Sequence, residues 1–265
     1  MVGSTTSTLP TSTLPASAPL KSLRGNAKSV VGVLLDIDDT LVDTRGAFRH
    51  ALGVVAESYL PAGYDVEQMT SYWRADASGW YRAHARGELT HREQRKRRAN
   101  ELHEAFGGPV LDDPAYAEWD DAFEAGFKEG WRAHPDAHEL LDTLDRCGIE
   151  YGAVSNAESG YQEMKLSRVG LKRVRMLVGV DRFGVGKPDP RVFLEGARLL
   201  GLDPAMVAYV GDEKDIDAAA AVDAGLALGI WLDRPGGHPQ PGGIADGVIR
   251  VESLAQIPQA LQLTC

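Results

Sequence analysis

Two short acidic segments each follow an apolar run in this sequence. The segment at positions 36–40 (DIDDT) comes directly after the run VVGVLL, and the segment at 211–217 (GDEKDID) comes after VAYV. Crowded carboxylates are costly unless a cation neutralises them. Mg²⁺, a hard divalent cation that prefers oxygen ligands, suits such carboxylates at the end of an extended segment. Either segment alone is also typical of an acidic turn that caps the following helix.

A hydroxyl and a lysine lie between the two acidic segments. Ser155 and Asn156 follow the apolar run GAV, and they offer a hydroxyl and backbone N–H groups to a phosphate. Lys187 stands in the turn GKPDP, directly before a predicted helix. Taken singly, Ser155 is more simply a cap residue and Lys187 a solvated charge. Four such signals in succession along the chain favour a common site.

Strands and helices alternate through most of the chain. Apolar runs rich in β-branched residues predict strands buried on both faces, as in a parallel sheet. These runs begin at Ser29, Ile149, Met176, Met206, Leu226 and Val248, and helices are predicted at Pro135–Arg146, Glu158–Val169, Pro190–Leu200, Asp215–Ala224 and the C-terminal end. Strands separated by helices of this length form βαβ units. The sequence therefore predicts an α/β fold with a Rossmann-like parallel sheet, in which ligands bind at the carboxyl ends of the strands.

The segment from Thr44 to Trp131 has a helical pattern throughout. Helices are predicted at Gly46–Leu60 and Asp65–Ala85, and two more begin at the capping box Thr90–Glu93 and at the Asp113-Pro114 pair. We therefore expect an all-helical cap domain at 46–131, inserted into an α/β core at 29–45 and 132–265. Residues 1–28, rich in Ser, Thr and Pro, are expected to form a disordered tail. An organellar targeting segment is the less favoured alternative for this tail.

The composition argues against several classes of protein. The 265 residues include 28 basic and 38 acidic side chains, and the resulting net charge of -10 argues against a nucleic-acid-binding protein. Since no run of about 18 apolar residues occurs, no transmembrane helix is expected. Cys147 and Cys265 match no metal-ligand spacing, so we expect reduced thiols in a cytoplasmic protein.

Aromatic and basic residues are concentrated in the predicted cap. Four of the five tryptophans lie in it or at its edge: Trp73, Trp80, Trp119 and Trp131. They either form, with nearby basic residues such as Arg74, a surface that recognises the organic part of an anionic substrate, or they pack the helical bundle. Packing is the favoured interpretation. The basic run at 91–98 is expected to be a solvated helix face, and the histidines show no metal-ligand spacing.

The motifs together resemble those of the haloacid dehalogenase-like (HAD) hydrolases, a superfamily composed mostly of phosphatases. The resemblance extends from about Val30 to the C-terminus, and the predicted cap is similar to that of the α-helical-cap branch. It implies that Asp36 is the nucleophile that takes the phosphoryl group, and that Asp38 protonates the leaving oxygen and then activates water. The resemblance further implies that Thr40, Ser155, Asn156 and Lys187 bind the phosphate. The implied ligands of Mg²⁺ are Asp36, the Asp38 backbone carbonyl and Asp212. Asp217 is implied to support Lys187 or a metal-bound water.

The activity implied by the resemblance is Mg²⁺-dependent hydrolysis of a small phosphorylated metabolite through an aspartyl-phosphate intermediate. Dehalogenases of the family need only the nucleophile, so the second aspartate, Asp38, favours phosphate chemistry. Two alternatives stay open. One is a phosphotransferase such as a sugar phosphomutase, and the other is a catalytically idle member that binds a phosphorylated ligand or a partner protein. A monomer or homodimer is expected.

Overall fold

The described part of the chain forms a six-stranded sheet in which every strand is parallel to its neighbours. The computed structural model describes residues 30–85, 87–237 and 240–265, so the predicted tail at 1–28 lies outside the described residues. The strands are β1 (Gly32–Leu35), β2 (Glu150–Val154), β3 (Leu177–Val178), β4 (Val207–Gly211), β5 (Leu228–Leu232) and β6 (Val248–Val251). Their order in the sheet is β3-β2-β1-β4-β5-β6. Because all six are parallel, their carboxyl ends meet at one edge.

Apolar cores cover both faces of this sheet. Successive side chains of a strand point to opposite faces, so Val33 and Leu35 of β1 belong to one core cluster and Leu34 belongs to another. Five helices of the described chain flank the strands: α6 (Pro135–Cys147), α7 (Ser159–Arg168), α8 (Pro190–Leu199), α9 (Ala220–Asp223) and α10 (Ile257–Ala260). All four residues of β1 are buried. The predicted α/β class with a Rossmann-like parallel sheet is confirmed.

A helical cap is inserted between β1 and β2, as the sequence predicts. Its helices in the described residues are α1 (Thr44–Tyr59), α2 (Val66–Ala75), α3 (Trp80–Ala85), α4 (His91–Phe106) and α5 (Asp113–Gly130). They enclose an apolar core of their own. The helices α1 and α5 pack closely at Gly130, where an added Cβ would lie 2.7 Å from the Ala47 Cα atom. The domain limits at residues 46 and 131 stay a prediction.

Two details of the predicted cap are wrong. The single helix predicted over Asp65–Ala85 is two helices, because Asp76 ends α2 in a left-handed conformation with φ of 44°. The Asp76 carboxylate then accepts hydrogen bonds from the backbone N–H groups of Tyr81 and Arg82, which caps α3. The residue that caps α5 is Asp112 rather than Asp113, since its carboxylate accepts from the Ala115 N–H.

The tryptophans and the basic run have mostly internal partners. Trp73, Trp119 and Trp131 are buried in the cap core, so the packing interpretation is confirmed for them. The expected solvated face is wrong for Arg95 and Arg98, each only 13% exposed at the side chain. Arg95 pairs with acidic side chains of α5, and Arg98 lies 4.0 Å from the centre of the Trp73 ring. These arginines hold the cap together.

The two cysteines are joined, which contradicts the prediction of reduced thiols. Cys147 ends α6, and it forms a disulfide with Cys265 across 118 residues of sequence. The reason is tertiary, because α10 packs against α6 and brings the C-terminal residues to the end of that helix. Reduced thiols therefore no longer support a cytoplasmic location. Within the described residues, no helix is long and apolar enough to cross a membrane.

Candidate active site

Three strand ends bring predicted site residues to one edge of the sheet. Asp36 follows β1, Ser155 follows β2 and Asp212 follows β4, and these three strands are adjacent. Lys187 lies in the loop before α8, and its ammonium group is 2.6 Å from the Asp36 carboxylate although 151 residues separate the two in sequence. The residues that the motif order predicts to share a site therefore lie close together in the structure.

The Lys187 ammonium is buried between two carboxylates. Its Nζ atom lies 2.6 Å from Asp36 Oδ1 and 2.6 Å from Asp217 Oδ1, and all three side chains are buried. The Asn156 side chain fixes the lysine's backbone, since its Oδ1 accepts from the Lys187 N–H at 2.6 Å and its Nδ2 donates to the Lys187 carbonyl at 3.0 Å. Asn156 thus holds the lysine loop with its side chain, which leaves its backbone for the predicted contact with a phosphate.

Asp217 reaches this group because of the turn that follows β4. Residues Lys214–Ala219 form a π-helical turn before α9, where the sequence predicts one α-helix. The Asp217 carboxylate folds back over Gly211, and its Oδ2 accepts from the Glu213 N–H at 3.0 Å. A Cβ atom at Gly211 would lie 2.3 Å from Asp217 Oδ2, so only glycine leaves room for this arrangement.

The carboxylates in this cluster outnumber the cations that they contact. Burial raises the pKa of Asp36 to about 7, although Lys187 opposes the rise. Burial and the neighbouring Asp36 and Asp217 raise the pKa of Asp212 well above its ordinary value. Burial disfavours the charged lysine, but the two carboxylates outweigh it and raise the pKa of Lys187. One ammonium therefore leaves negative charge uncompensated at the strand ends.

The donor set fits a hard divalent cation. Asp36, Asp212 and Asp217 each offer an oxygen, and these atoms lie within 4.8 Å of one another. Carboxylate oxygens are the ligands that Mg²⁺ prefers, and a divalent charge would offset the repulsion that raises their pKa values. Asp217 joins this group beyond the predicted ligands, whereas a role for the Asp38 backbone carbonyl stays a prediction. A second group, Asp39, Asp43 and His134, is similarly close, but there the two carboxylates already accept backbone hydrogen bonds in the turn before α1.

Asp38 has a separate set of partners that the sequence analysis missed. Its Oδ1 lies 2.5 Å from Lys165 Nζ and 2.5 Å from the Thr44 hydroxyl, and its Oδ2 accepts from Gln162 Nε2 at 2.6 Å. Burial would raise the pKa of Asp38, but Lys165 and these hydrogen bonds outweigh it and lower the pKa. A sequence signal was present, because Gln162 and Lys165 fall on the same helix face as the buried Leu166, where apolar residues are expected.

Ser155 and Thr40 are buried beside the two aspartates. The Ser155 Oγ accepts from Gln162 Nε2 at 2.7 Å and from the Ala157 N–H at 3.3 Å. Two accepted bonds leave the hydroxyl hydrogen to donate to a ligand. The Thr40 hydroxyl is fully buried and has no hydrogen-bond partner among the described residues.

A cavity of about 180 Å³ lies beside Asp212, between the cap and the sheet. Its lining includes Arg45 and Arg74 from the cap and Arg234 from the core. Arg74 Nη2 lies 4.0 Å from Asp39 Oδ2, so this cap residue faces the loop that carries the two aspartates. The structure thus combines a parallel sheet, a helical cap and a buried lysine among carboxylates at the strand ends, and this combination is typical of one class of enzyme.

Comparison with known proteins identifies that class. The family model of the haloacid dehalogenase-like hydrolases matches residues 30–225 of this chain, and the chain belongs to this family. It is 30% identical over 198 residues to a glyceraldehyde 3-phosphate phosphatase of Methanopyrus kandleri, which covers 74% of this chain and 82% of that protein. It is 31% identical over 219 residues to hexitol phosphatase A of Escherichia coli, which covers 79% of this chain and 86% of that protein.

A solved structure supports the fold. The HAD hydrolase YfnB of Bacillus subtilis, solved bound to magnesium, aligns with a TM-score of 0.71 at 22% identity, and the alignment covers 88% of this chain and 99% of YfnB. With the relatives above, this likeness confirms a HAD phosphatase with an α/β core and a helical cap.

Proposed function

We propose that this phosphatase hydrolyses a small phosphate monoester with Mg²⁺, through an aspartyl-phosphate formed on Asp36. The observation that carries the proposal is the buried cluster in which Lys187 lies 2.6 Å from both Asp36 and Asp217, with Asp212 within reach of the same point. The cluster combines a carboxylate nucleophile with positive charge for the phosphoryl oxygens. Phosphoryl transfer depends mainly on such positioning and charge stabilisation.

The first half of the reaction uses Asp36 and its neighbours. The Asp36 carboxylate attacks phosphorus, so that a bond from its oxygen to phosphorus forms while the bond to the leaving oxygen breaks. Lys187 and the Ser155 hydroxyl are placed to stabilise the charge on the phosphoryl oxygens, and the backbone of Asn156 and the buried Thr40 hydroxyl belong to the same binding set. Bound Mg²⁺ would be held by Asp36, Asp212 and the Asp38 backbone carbonyl, with Asp217 beside them, and it supplies charge neutralisation for an anionic nucleophile that meets an anionic phosphate.

Asp38 is the acid and base of the proposed reaction. Its lowered pKa makes it a carboxylate in the free protein, which is the form that takes a proton from water when the aspartyl-phosphate is hydrolysed. As an acid it needs a proton first. A phosphate monoester bound as its monoanion carries one proton, since the second phosphate pKa is about 6, and Asp38 relays that proton to the leaving oxygen as the bond from this oxygen to phosphorus breaks.

The substrate proposed for this site is a small phosphorylated sugar or polyol. The cavity of about 180 Å³ beside Asp212 is smaller than the pockets of about 300–1,000 Å³ that hold drug-sized ligands, although Asp36, Asp38 and Lys187 are not among its lining residues. The relatives named above act on glyceraldehyde 3-phosphate and on hexitol phosphates. The arginines of the cavity lining suit an anionic or polyhydroxyl substrate.

The test is phosphate release from p-nitrophenyl phosphate and from a panel of sugar and polyol phosphates, measured with MgCl₂ and with EDTA. We expect turnover in MgCl₂ only, and none from Asp36→Asn. A matched control is Asp142→Asn, which removes an exposed carboxylate and should leave turnover unchanged. Calorimetric titration with MgCl₂ gives a readout without substrate, and Asp212→Asn should weaken that binding.

Three results would contradict the proposal, each in a different way. Rapid hydrolysis that persists in EDTA would exclude the metal-dependent mechanism. Transfer of labelled phosphate to a second sugar rather than to water would identify a phosphomutase. Binding of phosphorylated sugars without turnover of any panel member would favour the catalytically idle alternative.

A further inference from the structure

One face of α7 lies against Asp38, and it carries two polar side chains at positions where apolar residues are expected. Lys165 is 2% exposed and Gln162 is 0% exposed, whereas the Asp38 side chain that they contact is 35% exposed. Burying an ammonium and an amide is costly unless both are paired. The Lys165 ammonium and the Gln162 amide nitrogen both donate to Asp38, so this helix face holds one side of a carboxylate that is otherwise partly exposed.

Lys165 and Gln162 on this face, and Thr44 on α1, each donate to a defined acceptor, whereas the Gln162 Oε1 atom is buried without a hydrogen-bond partner among the described residues. Lys165 and the Thr44 hydroxyl donate to Asp38 Oδ1, and Gln162 Nε2 donates to Asp38 Oδ2 at 2.6 Å and to the Ser155 Oγ at 2.7 Å. The two hydrogens of that amide therefore join the acid to the serine of the phosphate site. Among the described contacts, Oδ2 accepts only from Gln162, so it keeps a lone pair for another donor.

The cap contributes to the position of Lys165. Its Nζ atom lies 5.5 Å from the ring centre of Tyr161, 5.6 Å from that of Trp131 and 5.8 Å from that of Phe127. Ring faces attract a cation at this range. Phe127 lies in α5, and Trp131 is the first residue after that helix, where the chain returns from the cap to the core. The ammonium is thus held by aromatic rings of the cap junction on one side and by Asp38 on the other.

We propose that Lys165 and Gln162 are positioning residues that hold the Asp38 carboxylate toward the leaving-group oxygen of the substrate. This inference rests on the proposed function and adds two residues to it. Three donors fix both carboxylate oxygens before substrate binds, and they leave one lone pair of Oδ2 without a partner among the described residues. A general acid contributes only when it is within hydrogen-bond reach of the leaving oxygen, and a displacement of about 1 Å costs on the order of 10²-fold.

The test compares two substrates of similar size that differ in their need for an acid. p-Nitrophenyl phosphate releases a stable anion and needs little protonation, whereas benzyl phosphate releases a poor leaving group that needs a proton as the bond breaks. The ratio of their kcat/KM values reports the first half-reaction. We expect this ratio, aryl over benzyl, to rise about 10²-fold in Lys165→Met.

A second variant separates position from charge. Gln162→Met keeps the Lys165 charge but removes the hydrogen bonds from Gln162 to Asp38 and to Ser155. The lost bond to Ser155 affects both substrates alike, so a change in the ratio reports the position of Asp38. We expect a rise of at least about tenfold, in line with the loss of one hydrogen bond to a charged group. The matched control is Arg168→Met on the same helix, an exposed cation 5.9 Å from the Trp131 ring centre, which should leave the ratio unchanged.

The outcomes separate this inference from the proposed function. A ratio unchanged in Lys165→Met and Gln162→Met, or an equal loss on both substrates, would overturn the positioning role and leave the phosphatase intact. A wild-type protein that releases nitrophenol but never benzyl alcohol has no acid assistance to position, and that result also counts against the inference alone. A wild-type protein that hydrolyses neither substrate would overturn the proposed function and the inference with it.

Discussion

The buried contact of Lys187 with two carboxylates gives a quantitative prediction. Lys187→Met keeps the length of the side chain and removes its charge, and it leaves Asp36 and Asp217 buried without the ammonium that lies 2.6 Å from each. Breaking a buried ion pair from one side costs about 3–5 kcal/mol, because the partner stays buried and uncompensated. For a chain of this size each kcal/mol lowers Tm by about 2–4 °C, so we expect a fall of about 6–20 °C in EDTA.

The loss of stability in Lys187→Met should depend on pH, because protonation of Asp36 removes one of the two buried charges. Asp36 already has a pKa of about 7, and without the lysine it takes up a proton more readily. The loss should therefore be larger at about pH 8.5, where the variant must bury both charges, than at about pH 5.5, where Asp36 is neutral. MgCl₂ should restore part of the stability at the higher pH, since bound metal replaces the missing charge.

The assay is thermal unfolding followed by circular dichroism at both pH values, with EDTA and with MgCl₂. Lys172→Met is the matched control, because Lys172 is exposed, and a surface substitution of this kind changes stability by about 0.5 kcal/mol or less. If Lys187→Met in EDTA at the higher pH unfolds within the range of this control, the charge argument for the cluster is refuted.

Two further predictions concern the same cluster. In metal-free protein the folded state holds the Asp36 proton more tightly than the unfolded chain does, because the pKa of Asp36 is raised from 3.8 to about 7. The stability that this proton contributes is fully present below about pH 4 and is lost as the pH rises through about 7. The loss is at most roughly 4 kcal/mol. Urea unfolding in EDTA across that range measures the loss, and a flat profile would contradict it. Gly211→Ala places a Cβ 2.3 Å from Asp217 Oδ2, so we expect a loss of about 1–3 kcal/mol together with reduced turnover. Gly160→Ala, where no atom lies within 4 Å of the added Cβ, is the control for denaturation and kinetics, and equal effects of the two substitutions would exclude the steric argument.

Much of the fold and part of the site could be predicted from local pattern. Strand period and length, helix caps and the alternation of strands with helices specify a parallel sheet, and a parallel sheet brings its carboxyl ends to one edge. The close approach of Asp36 and Asp212 follows from that rule, whereas Lys187 reaches the same edge from the loop before α8. The capping box at Thr90 and Glu93 is likewise local, and the structure contains both of its reciprocal hydrogen bonds.

The errors in the cap and at the turn after β4 have local causes that periodicity does not show. The break between α2 and α3 depends on one left-handed residue, Asp76, and a helical pattern continues through it. The π-helical turn at Lys214–Ala219 differs from an α-helix by one residue in the span of its hydrogen bonds, yet it places Asp217 over Gly211. Sequence period alone does not distinguish these conformations.

The sequence by itself determined the class of fold, the inserted helical cap and the strand-end aspartates, because each depends on residues close together in the chain. Only the tertiary structure decided that Lys165 pairs with Asp38 across 127 residues and that Cys147 meets Cys265 across 118. From the sequence alone, a lysine on a helix is predicted to be a solvated charge, because the packing of that helix is not known. The packing buries Lys165 against Asp38, and burial without a partner would be too costly for the charge to persist there.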